Sequence, residues 1–189
     1  ADLYIDCTGF KSLLLEQHMG SEFVPFKHKL FNDTALATKI EYRDIENEME
    51  PYTDCVAMDY GWVWNIPLWN RIGTGYVYSS DYINECEAEV EFRKYLSARF
   101  CQKCAENAEM KKINIKHGKH KEAWVKNVVG IGLSYGFVEP LESTGLMTTH
   151  ENVLYLVDVL ERRNNITTQF DRDSFNRQCN NMTEAMANF

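Results

Sequence analysis

Residues 55–78, CVAMDYGWVWNIPLWNRIGTGYVY, constrain the fold more than any other part of the chain. They are dense in β-branched and aromatic residues, which pack well on a pleated surface. The segment reads as a strand over Val56–Ile66, a tight connection over Pro67–Arg71 and a second strand over Ile72–Tyr78. Two glycines, Gly73 and Gly75, lie inside the second strand, where a missing side chain permits close backbone approach. Trp62 and Trp64 are two apart, so on a strand they share one face. Such a pair could form a flat wall against a planar ligand, although aromatics packed into a core are the commoner arrangement.

The flanking sequence adds helices and further strands. Leu3-Tyr4-Ile5, Ala35–Tyr42 and the alternation at Ile113 and Ile115 read as strands. Lys11–His18 reads as a short helix, and Arg43–Glu50 as a solvated acidic loop ended by Pro51. Ala88, Phe92, Tyr95, Leu96 and Phe100 recur at helical spacing, with Ser79-Ser80-Asp81 as candidate N-caps. Glu85, Glu87, Glu89 and Glu91 make the wet face of that helix. The mostly apolar run Trp124–Tyr135 reads as buried. Thr148-Thr149-His150-Glu151 has the spacing of a capping box ahead of Val153, Leu154, Val157 and Leu160. A last helix begins near Asp173–Ser174. Strands mixed with helices give an α/β or mixed α+β fold.

The chain has 189 residues, 44% of them hydrophobic, enough for one domain with its own core. No apolar run reaches the roughly 18 residues needed to cross a bilayer. The net charge of −8 argues against a nucleic-acid groove and against an anionic membrane surface. Six cysteines are too sparse for a secreted disulfide scaffold, so reduced thiols and a cytoplasmic location are expected. Cys101 and Cys104 form a C-x-x-C read as two ordinary thiols. With no second pair nearby no zinc site is expected, and no other metal centre is apparent. His117 and His120, among lysines, read as a solvated basic turn. Asp2, Asp6 and Asp33 read as turn and strand-end residues.

The stretch FVEPLESTG, residues 137–145, concentrates a proline, carboxylates, two hydroxyls and a glycine between apolar segments. A helix follows it, and the N–H groups at a helix start lack partners and attract anions. Thr144 and Gly145 would present such groups, with Glu142 beside them as an acid, base or acceptor. On residue types alone, a capped helix start with a surface glutamate is the commoner arrangement.

Several blocks, taken in order, resemble the flavin-dependent halogenases of the tryptophan halogenase type. They are DLYIDCTGF (2–10), LFNDTALA (30–37), PYT (51–53), GWVWNIPLWNRIGTGYVYSS (61–80) and WVKNVVGIGLSYGFVEPLESTG (124–145). The pairing of W-x-W-x-I-P with P-L-E-S-T-G is far more specific than either alone. The resemblance implies an enzyme that uses reduced FAD, supplied by a flavin reductase, with O2 and chloride or bromide. Hypohalous acid formed there halogenates an electron-rich aromatic substrate, tryptophan or another indole. By motif position, Glu142 and Ser143 are catalytic, the backbone N–H groups of Thr144 and Gly145 seat the halide, and Leu133 and Leu146 contact the flavin. Trp62 and Trp64 separate flavin from substrate.

The family's G-x-G-x-x-G fingerprint is absent, and Gly130-Ile131-Gly132 with Gly136 belongs to the block above. The family's catalytic lysine lies upstream of the matched portion. The chain opens on ADLYID, without a methionine. Residues 1–189 are therefore expected to be a single partial domain of a longer enzyme. The expected part is the substrate-side sheet and packed helices of a flavin-monooxygenase-like fold, without its Rossmann part. Alone it should bind flavin poorly and not turn over. A flavin monooxygenase that does not halogenate, and a truncated remnant that only keeps the fold, are the alternatives. Oligomeric state is open, a homodimer included.

Overall fold

The computed structural model describes residues 2–139 and 144–189. They form two compact units, a middle unit of Phe31–Ile115 and a terminal unit of Ala1–Leu30 with Lys116–Phe189. The terminal unit opens with β1 (Tyr4–Asp6), a 3-10 turn at Gly9–Lys11 and β2 (Phe23–Pro25). The middle unit follows with β3 (Thr34–Ile40), the one-turn α1 (Ile45–Glu48), β4 (Asp54–Met58), β5 (Gly61–Leu68) and β6 (Arg71–Tyr78). It closes with α2 (Glu85–Arg99), α3 (Gln102–Asn107) and β7 (Lys111–Asn114). The chain then returns to the terminal unit for β8 (Gly118–His120), β9 (Trp124–Val125), β10 (Val128–Gly130) and a 3-10 turn at Gly132–Ser134. After β11 (Gly136–Phe137) come the long helices α4 (Thr144–Arg162) and α5 (Gln169–Asn188). The mixed α+β class expected from the sequence holds.

The middle unit is a five-stranded antiparallel sheet in the order β4-β5-β6-β3-β7. One face carries Leu36, Ile40, Val63, Ile72, Tyr76 and Tyr78, and α2 lays Ala88, Phe92 and Leu96 onto it. The helical spacing found in the sequence thus marks the buried stripe. The N-cap is Asn84, which accepts from the Glu87 N–H, rather than Ser79, Ser80 or Asp81. Ser80 instead donates to the Asp33 carboxylate. Of the four glutamates, Glu91 departs from the wet-face reading, because it accepts from the buried Tyr76 hydroxyl at 2.7 Å.

The strand boundaries differ from the sequence reading. Val56–Ile66 is two strands, β4 and β5, paired from Met58 opposite Gly61 to Asp54 opposite Asn65. A Cβ on Gly61 would lie 1.9 Å from the Val77 carbonyl oxygen, so only glycine fits where β5 starts. The second turn is just Trp69-Asn70, since Leu68 pairs with Arg71 and Pro67 lies within β5 opposite Ile72. Proline is tolerated there because β4 stops at the level of Asn65, leaving that end of β5 without a neighbour on its far side.

The terminal unit holds two three-stranded sheets, β1-β10-β9 and β11-β8-β2. Trp124, Val129, Ile131 and Tyr135 pack with Leu156 and Val159 of α4 and Phe175 and Cys179 of α5. Trp124–Tyr135 is therefore buried for most of its length. Helix α5 starts at Gln169, earlier than expected. Its Asp171 accepts from the Thr168 N–H and hydroxyl and from Arg163. Those bonds hold its carboxyl down at about 2.

Lys11–His18 is not a helix. The buried Asp6 carboxylate accepts the N–H groups of Leu14 and Leu15 at 2.8 Å, as well as both donors of Thr8. Ser12 adopts φ 41°, and the turns that follow close from Gln17 to Ser12 and from Met19 to Leu14. A carboxylate that collects N–H groups competes with helix formation. Burial alone would raise the Asp6 carboxyl, but these donors outweigh it and hold the group below its usual range. His117 and His120, read as a solvated turn, are buried on and beside β8. His120 lies against the Tyr135 carbonyl and the Glu16 carboxylate.

Candidate active site

The residues expected to act divide between the two units. In the terminal unit, the 3-10 turn after β10 and the start of α4 frame a cavity of about 390 Å³. Leu133, Thr144, Gly145 and Leu146 all line it. The geometry thus brings the pair expected to seat a halide and the pair expected to contact flavin into one cavity. Glu142 and Ser143 lie outside the described residues.

Backbone shape builds this wall. Gly132 takes φ 66°, a left-handed angle that favours glycine, and so turns the chain under the first turns of α4. Leu133 and Leu146 stay exposed, Leu146 at 85%. Thr144 is the first described residue of α4. The first described turn holds no acidic residue, so no described carboxylate competes for an anion. A Cβ built on Gly145 meets none of the described residues within 4 Å. Open space among the described residues, the N-terminal end of the described helix and two exposed leucines fit an anion beside the edge of a flat apolar ring.

The cavity continues along one stripe of α4. Gly145, Thr148, Thr149 and Asn152 are spaced i, i+3, i+4 and i+7, and all line it, with Thr183 and Met186 of α5 opposite. The sequence reading took Thr148 and Thr149 for a capping box. The helix is in fact already formed at Thr144, four residues before Thr148, and both hydroxyls donate back to the Gly145 carbonyl at 2.9 Å. Thr148 also reaches the Thr144 carbonyl at 3.2 Å. The buried Asn152 accepts from the Cys179 thiol at 3.3 Å, a thiol that burial pushes up to about 12. The helical spacing of small and polar residues after Gly145 was the signal for this stripe.

In the middle unit, Trp62 and Trp64 sit on β5, on the sheet face turned away from α2. Their ring centroids are 6.2 Å apart and the planes meet at 61°, so the pair is edge-to-face rather than a flat wall. Register places Trp64 opposite Gly75 on β6. A Cβ on Gly75 would come within 2.2 Å of the Trp64 ring. This is the close approach expected of the strand glycines. Gly73 has no comparable neighbour, its nearest being Leu68 at 3.7 Å. Among the described residues no helix is long and apolar enough to cross a membrane.

Comparison with known proteins places these features in context. The tryptophan halogenase family model matches residues 1–189. Tryptophan 6-halogenase SttH of Streptomyces toxytricini is 42% identical over 156 residues, 82% of this chain and 29% of that protein. Tryptophan 7-halogenase RebH of Lentzea aerocolonigenes is 41% identical over 157 residues, 83% of this chain and 29% of that protein. The solved structure of VirX1 without ligand is 56% identical and superposes with a TM-score of 0.93, covering 99% of this chain and 35% of that one. The chain thus spans about a third or less of the length of these relatives.

Proposed function

The chain belongs to the tryptophan halogenase family, and from that premise we propose that it is the halide-binding and substrate-side portion of a flavin-dependent halogenase. The whole enzyme would use reduced FAD from a partner reductase, O2, and chloride or bromide. It would place a halogen on an electron-rich aromatic, tryptophan or another indole. One observation carries the reading. Thr144 and Gly145, at the described start of α4, share a single cavity with the exposed Leu133 and Leu146.

Within that cavity, the Thr144 and Gly145 N–H groups would hold the halide by the partial positive charge of the helix start. Leu133 and Leu146 would flank the ring edge of the flavin, which supplies the oxidising equivalents when bound. Their apolar side chains would exclude water from the halide. Glu142, with Ser143 beside it, would accept the proton released as the aromatic ring is substituted. Trp62 and Trp64 would keep substrate and flavin apart. The enzyme would be cytoplasmic.

The test uses a full-length protein carrying this chain, supplied with reduced flavin, bromide and tryptophan, with products read by mass spectrometry. A halide-dependent mass shift is expected. Glu142→Gln should abolish it while flavin oxidation continues. Normal halogenation by that variant would remove Glu142 from its role. Oxygenated product without halogen would favour the monooxygenase alternative.

A further inference from the structure

The C-x-x-C motif is not the pair of ordinary thiols that its spacing suggested, because Cys101 and Cys104 are joined as a disulfide. It sits at the junction of α2 and α3, half-buried, on the wall of an open cavity of about 890 Å³ within the middle unit. Both sulfur-bearing residues line that cavity, so a ligand in it has access to the bond.

The cavity's charge is unlike that of its surroundings. The middle unit is acidic, yet Lys39, Arg43, Arg71, Lys103 and Lys111 line this one space. They are five of the nine lysines and arginines between residues 31 and 115. Only Glu41 and Glu109 oppose them on the same wall, and Glu48 pairs with Arg43. A concave, low-dielectric wall of one sign concentrates ligands of the other sign. The two sulfurs also differ. The Cys104 N–H lies 3.0 Å from Cys101 Sγ and donates to it, an interaction that favours thiolate on Cys101.

We propose that Cys101 and Cys104 form a thiol–disulfide exchange site that takes a small anionic thiol from this cavity. A thiolate RS⁻ attacks the Cys104 sulfur. The new R–S–S bond to Cys104 forms as the Cys101–Cys104 bond breaks, and the electron pair stays on Cys101 as thiolate. Cys101 is the better leaving group because the Cys104 N–H donates to its sulfur and stabilises the charge left there. A second RS⁻ attacks the R-side sulfur of the mixed disulfide, releasing RSSR and the Cys104 thiolate. Two electrons pass from two thiolates to the protein disulfide, and RSSR drives the reverse reaction. This site is independent of the halogenation reading.

The test uses a full-length protein carrying this chain, oxidised, then treated with millimolar reduced glutathione, alkylated and mapped by mass spectrometry. Cys7 and Cys86, exposed and reduced, should label throughout, and the buried Cys179 should stay protected while the chain is folded. Cys101 and Cys104 should label only after thiol treatment. Acid quenching at short times should trap the mixed disulfide on Cys104. A double variant, Arg71→Glu with Lys103→Glu, should slow reduction by glutathione, whose thiolate carries a net charge of about −2, roughly tenfold, and reduction by dithiothreitol, whose only charge is its thiolate, by no more than about threefold. The proposal is overturned if Cys101 and Cys104 label in the oxidised chain or resist glutathione until the chain is unfolded. It is equally overturned if the adduct forms on Cys101, or if the charge variant slows both thiols alike or neither.

Discussion

The start of α4 and the middle of β5 both carry residues expected to act, and different physics holds each in place. At α4 the important atoms are backbone donors, set by a glycine turn and by the helix itself. Space around them is open, as at Gly145. On β5 the important atoms are indole rings, set by register and by the absence of a side chain at Gly75. One site is held by backbone geometry and leaves room, whereas the other is held by packing and leaves none. Adding a side chain in place of the glycine should therefore have opposite effects at the two places.

The largest expected effect separates them directly. Gly75→Leu drives a side chain into the Trp64 ring and toward the Leu36 carbonyl, whose oxygen lies 2.8 Å from a Cβ built there. Overpacking of this kind costs about 3 kcal/mol at the upper end of its usual range. Gly145→Ala adds a methyl to empty space and improves helix propensity, so stability should rise by up to about 1 kcal/mol. Urea unfolding of the two variants against the parent chain checks both signs. Equal destabilisation at the two glycines would erase the distinction.

A second test asks whether the terminal unit's turn depends on charge as much as on shape. The Asp6 carboxyl is depressed in the folded chain, so its contribution is complete above its unfolded value of about 3.9. That contribution is lost as pH falls through the lower folded value. Asp6→Asn should cost about 1–3 kcal/mol at neutral pH, because buried N–H groups lose a charged acceptor. Unfolding measured from pH 6 to pH 3 should show a shallower acid decline in the variant than in the parent. Parallel declines would mean that the carboxylate does not control the turn.

The residues that the sequence made legible were those whose environment is encoded nearby. The α2 stripe of Ala88, Phe92 and Leu96 follows from helical spacing alone. The meeting of Leu133 with Thr144–Leu146 was reached only through the family resemblance, since eleven positions separate Leu133 from Thr144 and nothing local predicts that they share a cavity. Lys11–His18 failed because Asp6, outside the helical window, claims its N–H groups. The split of Val56–Ile66 failed because Asp59-Tyr60 lacks the residues usual for a two-residue hairpin. Gly61 was the cue, but only contact with the Val77 backbone gives it meaning. Cys101 and Cys104 could not be told from ordinary thiols by spacing, because pairing depends on how α3 starts against α2.

A functional effect of intermediate size follows from the open space at Gly145. The methyl of Gly145→Ala would stand in the cavity wall that the halide is proposed to share. Halide-dependent turnover of a full-length protein should fall roughly tenfold, equal to about 1.4 kcal/mol, while flavin oxidation persists. A variant both more stable and less active would confirm that openness there serves the ligand rather than the fold. Full activity would move the halide elsewhere.

The smallest effect probes the backbone itself. The Thr148 hydroxyl touches two consecutive carbonyls, those of Thr144 and Gly145. The Thr144 carbonyl belongs to the same peptide plane as the Gly145 N–H, so this one hydroxyl helps orient a donor proposed to face the halide. Thr148→Val keeps the shape and removes the bond. Back-bonding of this kind adds little to helix stability, so unfolding should shift by no more than about 0.5 kcal/mol. Halide affinity should weaken roughly threefold, matching a hydrogen bond near the low end of its usual net worth. The loss should appear as a raised halide KM, with saturating halide restoring kcat. A fall in kcat that halide cannot rescue would place Thr148 in the fold or at the flavin, and would leave the α4 start no more precisely set than the indoles of β5.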